Sequence, residues 1–559
     1  MLQGLVPALV ARPLHLALIL PWIYVRPGRP GLAAVGAAGI AICLWIAWRH
    51  AALRDQYGFL EGPGQLAAAA ILLLVVLDGA RRMIGWPLPA VAAAALLYGL
   101  LGQHVPGEFG HAGLPVASFL GTLTIAEGGV WGSLTGVSVG VVAIFVIFGA
   151  VLNAGEAGQG FMNVAGAAAG RLRGGAAKVS VLSSALFGSI SGSASANVAS
   201  TGAITLPAMT RLGYPRALAG AVEAVASSGG QIMPPLMGAG AFVMVELTGV
   251  PYPGIMAAAL LPAILYFVAV WVGIDAYARR LDLPGVPASE RPAPRDVAVT
   301  SAFFAVPFAA LLGAMFAAGL TPQYAACLAI LVAAALLPFD GRRGLMPRQG
   351  AARMARAAVA AGEQVALIGA IIVCAGIVVG VLGITGLGIK LTSLIVSGAG
   401  GALWPALLLT ALACLLLGME VPTTAAYVIC VSVAGPALVA LGLEPLRAHL
   451  FVFWFALLST ITPPVCGAVF IAAGMVGENW LRVAGSAMAL GIGLYVIPLG
   501  MVALPALTDP AGAPAAAAVA ALRMALGLAA LSRAMIGRGG PVRRAALLAA
   551  GGLVIFAPP

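Results

Sequence analysis

The chain has 559 residues, of which 62% are hydrophobic and only 8% charged, with a formal net charge of +11 and a mean hydropathy of +1.06. No polar block is long enough to form a soluble domain, so the composition predicts an all-α polytopic membrane protein. The positive charge does not point to nucleic acid, because the arginines gather in short loops between apolar segments, as cytoplasmic loops of membrane proteins do.

In chain order, apolar segments fall at residues 14–25, 31–48, 65–77 and 88–101, separated by connectors such as Trp48-Arg49-His50 and Arg81-Arg82. One apolar segment follows another without a small-residue cleavage site, so no cleavable signal is expected. Arg26, Arg29, Arg49, Arg54, Arg81 and Arg82 do not alternate between sides, and charge does not fix the topology here. Residues 107–129, with Glu108, His111 and Glu127, are too polar for a span and read as a connector or a helix lying in the interface, with a solvated His111. The six cysteines (Cys43, Cys327, Cys374, Cys414, Cys430, Cys466) lie inside apolar segments without CxxC spacing, which predicts buried free thiols and neither metal nor disulfide.

A span at 136–152 precedes a cationic loop holding Arg171, Arg173 and Lys178. Next comes Phe187-Gly-Ser-Ile-Ser-Gly-Ser-Ala-Ser-Ala-Asn197, then an apolar return broken at Ser227-Ser-Gly-Gly-Gln-Ile-Met-Pro-Pro235. Hydroxyls and helix-breaking residues at membrane depth are tolerated where they are buried in protein or line a cavity, although small residues also serve helix contacts. Spans at 255–274, 302–320 and 324–337 follow, with basic loops at Arg279, Arg280, Arg291, Arg295 and at Arg342, Arg343, Arg348, Arg353, Arg356.

The pattern then recurs. A shift of 229 positions (436 − 207) carries Pro207 onto Pro436, Gly213 onto Gly442, Ile232 onto Ile461, Pro234-Pro235 onto Pro463-Pro464 and Gly238 onto Gly467. Arg171, Arg173, Lys178, Arg211 and Arg216 fall on Gly400, Ala402, Leu407, Ala440 and Pro445, none of them basic. Positive charge marks the cytoplasm, so the two copies face opposite ways. The expected fold is an inverted repeat with two re-entrant helical hairpins and broken helices, the plan of secondary transporters.

The breaks carry hydroxyls and free carbonyls with almost no charge. Neutral oxygens suit a monovalent cation such as sodium, where magnesium or calcium would bring carboxylates. Donors in the first copy are Ser191, Ser193, Ser195 and Asn197 with carbonyls of residues 229–233; in the second they are Thr423 and Thr424 with Ser459, Thr460 and Thr462. The competing reading is that these hydroxyls only bond back to their own helices. Glu223 either binds a cationic partner or locks helices together; it falls on Val452 under the shift, outside any symmetric design. Glu246, close to Pro251, reads as a surface residue. No phosphate loop, paired metal-binding histidines or GxSxG nucleophile motif occurs. A polytopic membrane enzyme acting on a lipid-linked substrate is the weaker class, because the polar loops carry no carboxylate pair.

The runs 187–197, 220–235, Pro422-Thr-Thr-Ala-Ala-Tyr427 and Ile461-Thr-Pro-Pro464 closely resemble the fused permeases of tripartite ATP-independent periplasmic (TRAP) transporters, the branch served by TAXI-type binding proteins. The likeness covers roughly residues 85–504, while residues 1–84 match the small permease subunit in hydropathy alone. It implies a bacterial inner-membrane permease that takes a carboxylate-bearing anion from a periplasmic binding protein, uses sodium as coupling ion, needs no organic cofactor, and moves an elevator domain against scaffold helices. A stand-alone anion symporter or antiporter of the same fold is the alternative.

The implied organisation is scaffold at 1–84, a first helix with interfacial connector at 85–135, repeat one at 136–295, connecting spans at 296–361, repeat two at 362–507 and extra helices at 508–559. By the resemblance, Ser191, Ser193, Ser195, Gly230, Met233 and Pro235 form one sodium site, and Thr423, Thr424, Ser459, Thr462 and Pro464 the other. The pair Glu420-Val421 stands where the branch usually has Gly-Leu or Gly-Met before the Pro-Thr-Thr run, so Glu420 either joins the second sodium site as a charged ligand or brings in a proton. The substrate is expected between the tips, near Asn197, Ser195, Gln231 and Thr424.

Overall fold

A computed structural model describes residues 6–25, 30–341, 344–418, 422–464 and 466–557. Among the described residues, nine helices are long and apolar enough to cross a membrane. The protein is all-α and polytopic, because a helix satisfies its backbone polar groups internally where no water can. The β-structure among the described residues is one antiparallel pair, Phe339–Asp340 with Gly344–Leu345.

Two apolar cores divide the molecule. The N-terminal core joins Ala8–Tyr24, Pro30–Trp48, Gly62–Ile84 and Pro87–Leu101 to one face of the long helix Pro347–Thr385. Small residues set the spacing, as is usual for helices packed in lipid. A Cβ on Gly36 would stand 2.7 Å from Tyr24 Cβ, and one on Gly39 would stand 2.8 Å from Leu20 Cδ1. The buried Tyr24 hydroxyl donates to Val75 O at 2.9 Å.

Pro347–Thr385 has 39 residues, about 58 Å at 1.5 Å per residue, against roughly 30 Å of hydrocarbon. Its first turns therefore extend beyond the bilayer core. Arg348, Arg353 and Arg356, expected in a loop, lie in those turns, where an Ala-rich sequence begun by Pro347 favours helix. Arg353 is buried; it donates to Leu337 O (3.0 Å) and Phe339 O (2.6 Å) and pairs with Glu156 at 3.0 Å. Lys178, also expected in a loop, is buried in the first turn of Gly175–Ser191, 3.4 Å from Asp275 and over the Trp271 ring. His111 is half-buried rather than solvated: its Nε2 lies 3.1 Å from Tyr98 O, and Gly113 N donates to its Nδ1 at 3.1 Å. Five of the six cysteines are buried free thiols, and Cys327 is half-buried. Arg26, Arg29, Arg342, Arg343 and Glu420 lie outside the described residues.

The second core holds the repeated units. In the first, Gly175–Ser191 and Ala194–Arg211 form a helical hairpin, followed by Arg216–Gly230, a break, and Gly238–Thr248. In the second, Leu403–Gly418 and Thr423–Ala440 are followed by Pro445–Leu458, a break, and Gly467–Val476. Helix starts recur in step: 423 − 194, 445 − 216 and 467 − 238 all equal 229. Both Pro-Pro bonds in the breaks are cis. The units also interlock reciprocally. The second arm of hairpin one packs on Gly467–Val476, and the second arm of hairpin two packs on Gly238–Thr248. At the C-terminus, Pro514–Ile536 and Pro541–Phe556 pack together, and the former lies along Tyr252–Leu281.

Candidate functional site

The two hairpin tips and the two breaks close around one cavity of about 500 Å³. Gly192 makes the first tip possible, since its φ of +62° is a left-handed conformation that a side chain would strain. Ser193 then caps the second arm, its hydroxyl accepting from Ala196 N at 3.3 Å. In the other hairpin Pro422 precedes a helix that starts at Thr423. Both second arms thus begin at the cavity, with Ser195 and Ala196 on one side and Thr423 and Thr424 on the other. First-turn N–H groups have no partner within their own helix, so each arm turns the positive end of its dipole to this space. Opposite them end the helices Arg216–Gly230 and Pro445–Leu458, and Gln231, Ser459 and Thr460 at their C-terminal breaks line the same wall.

The lining has no charged side chain among the described residues. Of the expected site residues, Ser191, Ser193, Ser195, Gln231, Thr423, Thr424 and Ser459 line the cavity. Ser195, Thr423 and Thr424 carry hydroxyls that bond to no other described residue, and Ser195 Oγ faces Gly467 of the other repeat. Ser191 Oγ reaches only Ser193 O, at 3.4 Å, while Ser459 Oγ donates back to Ala456 O at 2.8 Å. The bland alternative thus describes Ser459 but not Ser195, Thr423 or Thr424.

The remaining expected residues sit behind this layer. Gly230 packs on Gly188; a Cβ on either would stand 2.5 Å from the other's Cα. The carbonyl of Pro235 accepts from the Tyr252 hydroxyl, and Met233 N donates to Gly230 O at 3.3 Å. Thr462 bonds to Leu458 O (2.8 Å) and to the Tyr495 hydroxyl (2.7 Å), and Pro464 is exposed. Asn197 is fully buried, and its amide donates to Ser184 O of the first arm (3.0 Å) and Ser227 O of Arg216–Gly230 (3.5 Å) rather than facing the cavity.

Sequence reading missed Gln364, which brings a polar side chain to the cavity from the long helix, beside Ile368 and Ile371. A lone amide at the head of an apolar run was its visible signal. The two breaks are joined by a hydroxyl pair, Ser228 Oγ to Thr460 Oγ1 at 2.7 Å.

Glu223, fully buried, sits in a cage of hydroxyls. Ser180 (2.7 Å) and Thr205 reach Oε2; Ser184 (3.3 Å), Ser227 (3.4 Å) and Thr201 reach Oε1. These donors come from both hairpin arms and from Arg216–Gly230. No cationic side chain of the described residues pairs with it, and Lys178 is turned to Asp275. Of the two roles open to Glu223, the hydroxyl cage is the helix lock. Glu246 is exposed.

Residues 71–509 match the family described as "Tripartite ATP-independent periplasmic transporter, DctM component". The chain is 25% identical to the C4-dicarboxylate TRAP transporter large permease protein of Pseudomonas aeruginosa over 339 residues, 60% of this chain and 77% of that protein. It is 32% identical to the isethionate TRAP transporter permease protein of Oleidesulfovibrio alaskensis over 203 residues, 32% of each chain. An uncharacterized protein of Salmonella typhimurium is 31% identical over 153 residues, 27% of this chain and 34% of that protein. With an apolar multi-span fold and a family match over most of its length, the chain belongs to the DctM family of TRAP transporter permeases, multi-pass proteins of the bacterial inner membrane.

Proposed function

We propose that this permease takes up an organic anion bearing a carboxylate or similar group, delivered by a periplasmic TAXI-type binding protein and driven by sodium. The observation that carries the reading is the pairing of Ser195 and Thr424, one from each repeat (424 − 195 = 229), at helix starts facing one uncharged cavity. Two helix N-termini favour an anion, and unpaired hydroxyls with C-terminal carbonyls suit sodium. Two relatives are named for C4-dicarboxylate and isethionate, both anions. In this reading the hairpins are re-entrant and opposed across the membrane, and the repeat units move as an elevator. Residues 1–84, most of which precede the matched stretch, serve in place of a separate small permease subunit.

Ser195, Thr423 and Thr424 are the residues best placed to hold sodium, which supplies the positive charge that the cavity lacks. The Pro235 carbonyl and the Thr462 hydroxyl already have partners, which makes them weaker ligands than the resemblance implied. Glu420, outside the described residues, remains a proposed member of the second site.

Uptake of a labelled dicarboxylate in proteoliposomes, with and without the binding protein, tests the reading. Transport only with the binding protein supports it; transport without one favours a stand-alone symporter. Ser195→Ala and Thr424→Ala, made separately, are expected to raise the sodium half-saturation by about tenfold each, the low end of what losing one partner of a metal site costs. Unchanged half-saturation in both would remove these hydroxyls from the ion sites. Two cation sites further require uptake that rises with sodium with a Hill coefficient above one and carries positive charge inward for a monoanion. Undiminished uptake in sodium-free vesicles under a proton gradient would overturn sodium coupling.

A further inference from the structure

Away from the hairpins, a second cavity of about 570 Å³ opens where three helix ends meet. Six arginines line it: Arg279 and Arg280 from the last turn of Tyr252–Leu281, Arg533 from the last turn of Pro514–Ile536, Arg538 from the connection, and Arg543 and Arg544 from the first turn of Pro541–Phe556. Asp275 is the acidic residue among the described lining, and it is shared between Arg279 (2.8 Å) and Lys178 (3.4 Å).

Most of the other guanidinium groups are oriented by carbonyls, which aim them without cancelling their charge. Arg538 donates to Arg280 O at 2.6 Å, Arg543 to Arg538 O at 3.3 Å, Arg544 to Gly537 O at 3.4 Å, and Arg280 to Ile536 O at 3.5 Å. Arg533 has no hydrogen bond or ion pair among the described residues. Like charges gathered this closely repel one another, and an anion between them relieves that repulsion. Guanidinium forks match phosphate oxygens bidentately.

The other wall is apolar. Trp271 and Val272 lie about two turns before Arg279 and Arg280 on Tyr252–Leu281, and Leu547 lies one turn after Arg543 and Arg544 on Pro541–Phe556. A tryptophan beneath cations at helix ends is the arrangement of a membrane interface, and basic pockets between helices on the cytoplasmic side suit anionic lipid head groups. We propose that this cavity binds the phosphate head group of an anionic phospholipid, best one with two phosphates, its acyl chains leaving along the apolar wall. The lipid then clamps the two C-terminal helices to Tyr252–Leu281, whatever the transported substrate is.

The full chain, purified in neutral detergent, is to be titrated with cardiolipin, phosphatidylglycerol, phosphatidylcholine or inorganic phosphate while thermal unfolding and lipid adducts by native mass spectrometry are followed. Cardiolipin is expected to bind most tightly and to raise the unfolding temperature, with phosphatidylcholine inert. Arg533→Gln/Arg543→Gln/Arg544→Gln is expected to weaken cardiolipin binding by about a hundredfold, since each arginine near an anionic surface contributes roughly fivefold. Arg171→Gln/Arg173→Gln/Arg216→Gln, which removes equal charge elsewhere, is expected to bind as wild type. Arg543→Gln alone gives a smaller loss and serves if the triple variant does not fold. Equal binding by both triple variants, or by Arg543→Gln and wild type, would overturn the site. A stabilisation reproduced by inorganic phosphate alone would show an anion site without lipid, and would overturn the lipid assignment.

Discussion

Glu223→Leu is expected to lower the stability of the folded permease by about 2–4 kcal/mol, because it strips the acceptor from a buried set of hydroxyl donors. The loss is partial for Thr201 and Thr205, which can turn to Asn197 O (2.8 Å) and Thr201 O (3.1 Å) on their own helix. Ser180 and Ser227 have no such backbone partner among the described residues, so their hydroxyls are stranded. Glu223→Gln keeps the shape and one carbonyl acceptor, and is expected to fold with a much smaller loss. The measurement is apparent unfolding temperature and gel-filtration behaviour in detergent for both variants. A leucine variant as stable as wild type would show that the cage holds nothing together.

Gly230→Ala should abolish uptake. Two effects oppose each other here. Alanine is the better helix former by about 1 kcal/mol, which favours the substitution. Its Cβ would stand 2.5 Å from Gly188 Cα and 2.9 Å from Ser184 O, both backbone atoms of the facing arm. Backbone cannot swing aside as a side chain can, so the first arm of hairpin one must lift off the broken helix. Overpacking of this kind costs about 1–3 kcal/mol and often more, and the steric term wins. The displacement falls on the element that carries Ser191 and Ser193 to the cavity. Gly188→Ala should behave alike, whereas Gly140→Ala, with nothing within 4 Å of its Cβ, should transport normally. Normal uptake by Gly230→Ala would mean that the two helices part easily in the working cycle.

The residues whose environment is local were the ones legible in the sequence. Gly192 and the Pro-Pro pairs break helices by their own chemistry, so the hairpin tip, the two breaks and their 229-residue step could be read directly. Ser195 and Thr424 followed from that step. Burial and partnership across long separations could not be read. Lys178 and Arg353 passed for loop cations because Asp275 and Glu156, which hold them, lie 97 and 197 residues away. Thr462 reads as a free hydroxyl, whereas Tyr495 occupies it, and Asn197 reads as a substrate-facing amide, whereas it donates to Ser184 O. The cage around Glu223 left a faint trace, since Ser180 and Ser184, like Thr201 and Thr205, repeat at one-turn spacing.

The contact of hairpin two with the long helix differs in kind from the packing inside the first repeat. Hairpin two joins the N-terminal core through Ala425 and Ile429, which meet the stretch of Pro347–Thr385 that contributes Ala370, Ile371, Val373 and Cys374. Among the described residues no side-chain hydrogen bond crosses from residues 366–382 of that helix to either hairpin. Inside the first repeat, by contrast, five hydroxyls hold a carboxylate. A shear force between hairpin two and this stretch therefore meets a track of packed side chains, whereas the first repeat answers as a cross-linked block. Dispersion contacts between methyl groups are individually weak, and displacement along this stretch breaks no side-chain hydrogen bond among the described residues. Friction along such a track is set by how smooth the side-chain surface is, and one polar pair placed across it would act as a latch.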